Sequence, residues 1–187
     1  RKRSRSYNRK LGGGLFMEAP MMRSLPQSIE AEQSVIGAMI IDKSAIAQVL
    51  EKLNEDDFYR DGHKTIYKAV KEMYAKDMAV DLVTILEYLK TTDMLDKAGG
   101  VTYISELSAS VPTTANLSSY IKIVEEKSTL RKLIKASTAI IEESYNNGGD
   151  VEKVIDLAQK KVFDIAEKKD SKEYEQKVAI ALVNTFK

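Results

Sequence analysis

The sequence predicts an all-α protein: a compact multi-helix bundle followed by a long antiparallel helical hairpin and the start of a linker helix. The first observation is composition, because 43% of the 187 residues are apolar, only three are proline, and residue types that favour helices dominate. The second is that no stretch shows the sustained alternation of apolar and polar residues that a strand requires. The third is a run without Gly or Pro from about residue 115 to 145, which predicts one helix much longer than those before it.

Four short helices are predicted in the N-terminal half. Ser28 is a suitable N-cap for the first helix, and Asp42 marks the turn into the second, which spans about residues 44–53. Asp61 opens the third helix and Asp81 caps the fourth. Apolar residues follow each start at helical spacing, so the four helices can share one core.

The junction between the bundle and the hairpin is predicted around a glycine pair and a proline. The glycines at residues 99–100 are expected to end the preceding helix, and a short fifth helix over about residues 103–108 closes the bundle. Pro112 then breaks the helical pattern. We therefore assign a helical head to residues 25–112 and the hairpin to residues 113–169.

The hairpin is predicted to consist of two helices joined by an Asn- and Gly-rich turn at residues 146–149. At 1.5 Å per residue the outgoing helix is roughly 45 Å long, and Asp150 caps the return helix. The return helix is apolar over more than one stripe, of which only one can face the outgoing helix. A second copy of the hairpin is the expected partner of the other stripe, although the hairpin could instead fold back on its own head. The residues expected in this pairing, each of which could also be simple hairpin core, are Leu133, Ile134, Ile140, Val154, Ile155, Val162 and Phe163.

Residues 1–24 are predicted to be a basic leader, disordered or not native to the protein, ahead of a start at Met17, Met21 or Met22. The alternative is a nucleic-acid-binding arm, because residues 1–25 carry a net charge of +6 and the rest of the chain −5. The acidic remainder argues against a large phosphate-binding face elsewhere. Only an arm would give salt-dependent binding to single-stranded DNA that disappears when the leader is removed.

Residues 170–187 are predicted to be a charged linker followed by the first turns of an amphipathic helix. The apolar side of this helix has nothing of its own to pack on, so the sequence looks like a fragment whose next domain is missing. Its apolar residues include Val178, Leu182, Val183 and Phe186.

Few residues suggest catalysis. The chain has no cysteine, which excludes a disulfide scaffold or a Cys-based metal site, and no apolar run long enough to span a membrane. It lacks the G-x-x-x-x-G-K-[ST] phosphate loop. His63 is the only histidine, and we interpret it as a partly buried residue in a helix-entry turn. We therefore expect no catalytic, cofactor or metal site in this chain, which argues against the hypothesis of a self-contained hydrolase.

A series of motifs in the same order resembles the bacterial replicative DNA helicases of the DnaB type. The motifs are LPQSIEAEQSVIG (residues 25–37), DFYR with a following His (57–63), VDLVT (80–84), GGVTYI (99–104), VPTTAN (111–116) and IVEEKS (123–128). The resemblance extends over about residues 25–187, and several spaced motifs make it more specific than any single one.

This resemblance implies an N-terminal helicase domain with its interdomain linker. In the family, hairpins pair, and six subunits form a trimer-of-dimers collar above an ATPase ring. The collar docks the C-terminal domain of primase, loader proteins engage the hexamer, and DNA is bound by the ring. ATP and magnesium would belong to a motor domain beyond this segment, in a protein of the bacterial cytoplasm with no membrane partner.

The resemblance also implies roles for individual residues. By position, the residues expected to dock primase are Tyr103, Ile134 and Ile140. The linker helix resembles one that packs on the motor domain of the neighbouring subunit, through Val178, Leu182, Val183 and Phe186. The leading hypothesis is thus an assembly and docking module of a helicase, and the alternative is a nucleic-acid-binding adaptor that uses the basic leader.

Overall fold

The computed structural model describes residues 24–111, 114–146 and 150–167, and all regular structure in these ranges is helical. The predicted all-α class is therefore confirmed. The helices are α1 (Ile29–Ile41), α2 (Lys43–Lys52), α3 (Asp61–Ala75), α4 (Leu82–Thr91), α5 (Gly100–Ala109), α6 (Leu117–Asn146) and α7 (151–167), with a short 3₁₀ turn at Glu55–Asp57.

Several predicted features lie outside the described residues. They are the leader up to residue 23, Pro112, most of the turn at 146–149, and the linker with Val178, Leu182, Val183 and Phe186. Within the described ranges, none of the helices combines the length and the apolar composition that a membrane span needs.

Capping residues begin the helices where the sequence predicts them. Ser28 and Asp42 have extended backbones, and their side chains accept hydrogen bonds from backbone N–H groups in the first turns of α1 and α2. Asp81 forms a capping box with Thr84 at the start of α4. The Asp150 carboxylate accepts a hydrogen bond of 3.3 Å from a backbone N–H in the first turn of α7. These starts are local features, which is why the sequence predicts them.

The end of α4 differs from the prediction. This helix ends at Thr91, well before the glycine pair, and Asp93 follows in the left-handed conformation with φ 57°. The Met94 N–H donates to the Leu89 carbonyl at 2.8 Å, which closes a Schellman motif without glycine. The glycines, with φ of 105° and 80°, instead begin α5 at Gly100. An Asp in the left-handed region carries a weaker sequence signal than a Gly.

Helix α1 lies at the centre of the head and contacts α2, α3, α5 and α6. Its second half is buried on all sides, because residues 35–40 are apolar without interruption. The backbones of α1 and α5 meet at Gly37, where a Cβ atom would lie 2.4 Å from the Leu107 carbonyl oxygen. Gly37 therefore sets the distance between these two helices.

Helix α6 belongs to the head only along its first turns. Leu117, Ile121 and Val124 are buried in the core of the head, and Ser128 is buried one turn further on. All of α6 lies within the described residues, and C-terminal to Ser128 its only buried residue is Ala136. The 30 residues of α6 extend roughly 45 Å, so its distal half extends beyond the core.

Candidate protein-interaction site

The distal half of α6 exposes a stripe of apolar side chains. Leu130, Ile134, Ile141 and Tyr145 are between 43% and 78% exposed. Their spacing of four, seven and four residues places all of them on one face of the helix. We call this face the α6 stripe. A continuous apolar face of this kind favours a protein partner over solvent.

Helix α7 has one half-buried face and an adjacent exposed apolar face. The half-buried residues recur at helical spacing and include Val154, Leu157, Ala158 and Ile165. The exposed apolar residues are Val151, Ile155, Val162 and Phe163, the last 64% exposed. A groove on α7, lined in part by Ala158, Val162, Phe163 and Ala166, follows this exposed face. Among the described residues, α7 therefore has an exposed apolar surface that no other helix covers.

The residues predicted to pair separate into two environments. The exposed ones are Leu133, Ile134, Ile155, Val162 and Phe163, whereas Ile140 and Val154 are half-buried. The prediction omitted Ile141 and Tyr145, which are more exposed than Ile134 and lie on the same face. Counting in steps of three and four residues from Ile134 would have found them. Pairing itself stays a prediction.

A pocket of about 620 Å³ lies on the head between the start of α3 and the start of α5. Tyr103 of α5 lines it and is half-buried. The side chains of Tyr59, Arg60 and Lys97 also contribute to its wall. The candidate docking residue Tyr103 is thus partly accessible, beside two cationic groups.

Behind this pocket, Tyr103 contacts a buried histidine. His63 is 0% exposed, so the interpretation of a partly buried residue is wrong. Its Nε2 atom lies 2.6 Å from the Tyr103 hydroxyl, and its Nδ1 atom lies 2.7 Å from Oε2 of Glu32. Glu32 is also buried, at 1% exposure. We call Glu32, His63 and Tyr103 the buried relay, because together they join α1, α3 and α5.

The Glu32 carboxylate is fully occupied by donors. Besides His63, it accepts hydrogen bonds from the backbone N–H groups of Tyr59 at 2.7 Å and Arg60 at 3.3 Å. A buried carboxylate requires such donors, because leaving it unpaired would be costly. The relay was not apparent in the sequence, where Glu32 looks like an ordinary acidic residue in the first turn of a helix.

A second buried carboxylate joins the head to α6. The Oδ1 atom of Asp57 accepts hydrogen bonds from Ser128 and Lys132, each at 2.6 Å, and Oδ2 accepts one from the Asn54 N–H at 2.8 Å. Arg131 donates to the backbone carbonyl of Asp57 at 2.6 Å. Burial raises the pKa of Asp57, but the hydrogen bonds from Lys132 and Ser128 outweigh it and leave the pKa below its ordinary value.

These arrangements suit protein contacts. Both buried carboxylates are occupied by the fold itself, and the exposed apolar faces on α6 and α7 carry no cluster of reactive groups. Within the described ranges there is no group of three or more His, Cys, Asp or Glu side chains that could hold a metal ion.

A family model described as the DnaB-like helicase N-terminal domain matches residues 24–126, which is more than half of the chain. The chain belongs to this family. The matched segment includes the buried relay and Asp57, and the resemblance inferred from the motifs is confirmed. The DnaB-type fold therefore comprises the head and the first turns of α6 at least.

Full-length relatives of the DnaB-type domain are considerably longer than this chain. The replicative DNA helicase DnaC of Bacillus subtilis is 41% identical over 161 residues, which are 86% of this chain and 35% of that protein. The replicative DNA helicase DnaB of Mycobacterium leprae is 41% identical over 154 residues, 81% of this chain and 26% of that protein. The matched part of the chain spans between about a quarter and a third of the length of these relatives.

Two solved structures share the fold of this DnaB-type domain. The N-terminal domain of DnaB helicase from Mycobacterium tuberculosis has a TM-score of 0.71 at 40% identity, and the match covers 75% of this chain and 99% of that one. The other is a DnaB-like replicative helicase described together with its interactions with primase. It has a TM-score of 0.61 at 26% identity, over 75% of this chain and 31% of that one.

Proposed function

We propose that this chain is the N-terminal assembly and docking module of a hexameric replicative DNA helicase. Its hairpins pair, and three such pairs form the collar of the ring. The observation that carries this proposal is the presence of exposed apolar faces on both α6 and α7 in a domain of the DnaB type. Pairing with a second copy would remove both faces from water, which is the principal source of free energy for such association.

Primase docking is the second part of the proposed function. It is supported by the structural relative whose interactions with primase were described. The candidate docking residues are Tyr103 at the pocket on the head, Ile134 in the α6 stripe, and the half-buried Ile140. The C-terminal domain of primase is the proposed ligand, and a helicase loader is a further partner.

The longer protein would carry the remaining activities. It would unwind DNA with ATP and magnesium in the bacterial cytoplasm, and its ring would bind DNA. These steps require a motor domain, whereas this chain corresponds to about a third of its full-length relatives. The linker residues Val178, Leu182, Val183 and Phe186 would pack on the neighbouring subunit.

The mass of the chain in solution tests both parts of the proposal. Light scattering should give a dimer or a larger assembly, and adding the C-terminal domain of primase should increase the mass by whole copies of that domain. A chain that stays monomeric up to high concentration would contradict pairing. An unchanged mass after primase is added would contradict docking.

A charge on the exposed face of α7 should dissociate the assembly. Phe163→Asp would place an unpaired carboxylate in the proposed interface, which is costly to bury, and should shift the mass to that of a monomer. Because Phe163 is 64% exposed in the single chain, the helical circular dichroism and the melting temperature of the monomer should change little.

Phe163→Leu provides the matched control. It changes the same position on α7 but keeps an apolar side chain there, so no charge has to be buried in the proposed interface. This variant should keep the mass of the unsubstituted protein. Pairing through Phe163 is wrong if the two variants have the same mass.

A further inference from the structure

We propose that His63 is a positioning residue for docking: it holds the Tyr103 side chain in the orientation that a partner protein contacts. This inference rests on the proposed docking role of Tyr103 and adds a fully buried residue that no partner touches. It follows from the buried relay, which places a fully buried histidine between a buried carboxylate and the hydroxyl of a residue at a pocket wall.

The hydrogen bonds around Tyr103 determine where the protons lie. Arg60 Nη1 is 3.0 Å from the Tyr103 hydroxyl and Gln33 Nε2 is 3.4 Å from it, and both groups are donors. The hydroxyl oxygen accepts these two bonds, so its own proton is directed to His63 Nε2. His63 therefore accepts at Nε2 and donates from Nδ1 to Glu32, which assigns its ring proton to Nδ1.

Each contact restrains the tyrosine in a different direction. The imidazole and phenol rings lie nearly parallel, with centroids 6.0 Å apart and 9° between their planes. The Arg60 guanidinium carbon is 5.2 Å from the centroid of the phenol ring. A half-buried tyrosine without such contacts could rotate in the pocket, and a partner would have to order it on binding. Fixing the ring beforehand removes part of that entropic cost.

Two substitutions at His63 separate positioning from folding. The amide of Asn can reproduce the Nδ1 donor to Glu32, but it is too short to reach Tyr103. The longer Gln can place its carbonyl oxygen near the former Nε2 and accept from the Tyr103 hydroxyl, while the bond to Glu32 is lost. Each variant removes one hydrogen bond of the relay, so both should lose stability to a similar extent.

Only one of the two should lose affinity for the partner. Measured by calorimetry with the C-terminal domain of primase, His63→Asn should weaken binding about threefold to tenfold, corresponding to one lost hydrogen bond. His63→Gln should bind within about twofold of the unsubstituted chain. Tyr103→Phe also removes the bonds from Arg60 and Gln33, so it should weaken binding at least as much as His63→Asn. Adding His63→Asn to Tyr103→Phe should weaken binding little further, because no hydroxyl remains for His63 to hold.

The nitrogen spectrum of the imidazole provides an independent readout. His63 is the only histidine in the chain, so both imidazole nitrogen signals belong to it, and their couplings to the two carbon-bound ring protons tell Nδ1 from Nε2. We expect the ring proton on Nδ1 and none on Nε2, and the pattern should be unchanged in Arg60→Lys. The opposite tautomer would overturn the proposed direction of the hydrogen bonds.

The outcomes distinguish this inference from the function on which it rests. If the unsubstituted chain does not bind primase, the docking proposal and the positioning role both fail. If it binds, and both His63→Asn and His63→Gln are folded and bind as tightly as the unsubstituted chain, the docking proposal stands and the positioning role is wrong. Equal losses in both variants would make the relay a purely structural feature, which also overturns the inference.

Discussion

Asp57→Asn is expected to lower the free energy of unfolding at pH 7 by about 2–4 kcal/mol. The substitution keeps the shape of the side chain but removes the charge that accepts hydrogen bonds from Ser128 and Lys132. Because Asp57 is 2% exposed, water cannot replace these partners at the carboxyl group. Lys132 is 43% exposed and can return to solvent, which limits the loss. Chemical denaturation followed by circular dichroism measures the difference.

The effect of Asp57→Asn should depend on pH in a defined direction. The pKa of this carboxyl lies below its ordinary value of 3.8 in the folded protein. A lowered pKa contributes stability that is complete above the ordinary value and is lost as the pH falls through the lowered one. The difference in free energy of unfolding between the unsubstituted protein and Asp57→Asn should therefore be constant from about pH 5 to 8 and should become smaller below about pH 4.

Asp56→Asn is the control for Asp57→Asn. It removes the same charge from the neighbouring residue, which is exposed, and should change stability by less than about 0.5 kcal/mol. Two results would show that the contacts of Asp57 with α6 do not stabilise the fold. One is an equal loss of unfolding free energy in Asp56→Asn and Asp57→Asn, and the other is a difference between Asp57→Asn and the unsubstituted protein that grows in acid.

Gly37→Ala is expected to destabilise the head by about 2–3 kcal/mol, although alanine favours helices more than glycine by about 1 kcal/mol. The added Cβ would lie 2.4 Å from the Leu107 carbonyl oxygen and 2.6 Å from a methyl group of Val111. A backbone oxygen cannot turn aside as a flexible side chain can. Helices α1 and α5 would have to separate, and the packing of the core between them would loosen.

Gly62→Ala tests whether the effect is specific to that contact. Gly62 lies in the first turn of α3, and a Cβ there would be 3.2 Å from the Ala98 carbonyl oxygen. A shift of a few tenths of an ångström relieves this contact, so the variant should lie within about 1 kcal/mol of the unsubstituted protein. A stabilised Gly37→Ala in thermal melts would contradict the close approach of α1 and α5.

The sequence predicted the features that depend on neighbouring residues. Ser28 and Asp81 cap helices through hydrogen bonds to residues two or three positions away, so a few neighbouring residues are enough to predict these caps. The end of α4 was missed because Asp93 adopts a conformation that glycine usually provides. The class of the fold was predictable from composition and spacing because both average over many residues.

The buried polar groups could not be predicted in the same way. Glu32 and His63 are 31 residues apart, and Asp57 and Lys132 are 75 residues apart. In the sequence Glu32, Asp57 and Lys132 resemble ordinary surface groups, and the burial of His63 was only partly anticipated. The partners become visible only when the helices pack together. The α6 stripe could be predicted in part. The spacing of its apolar residues is visible in the sequence, but which face of the helix stays exposed depends on how α6 packs on the head.

The length of helix α6 converts a small rotation at its base into a large displacement of its tip. Its first turns are embedded in the head, and the 18 residues that follow Ser128, up to Asn146, extend roughly 27 Å from the contact between Ser128 and Asp57. A rotation of about 10° at that pivot displaces the tip by roughly 5 Å, approximately one helical turn. Small rearrangements of the head are thereby amplified at the far end of the α6 stripe, where neighbouring copies would meet.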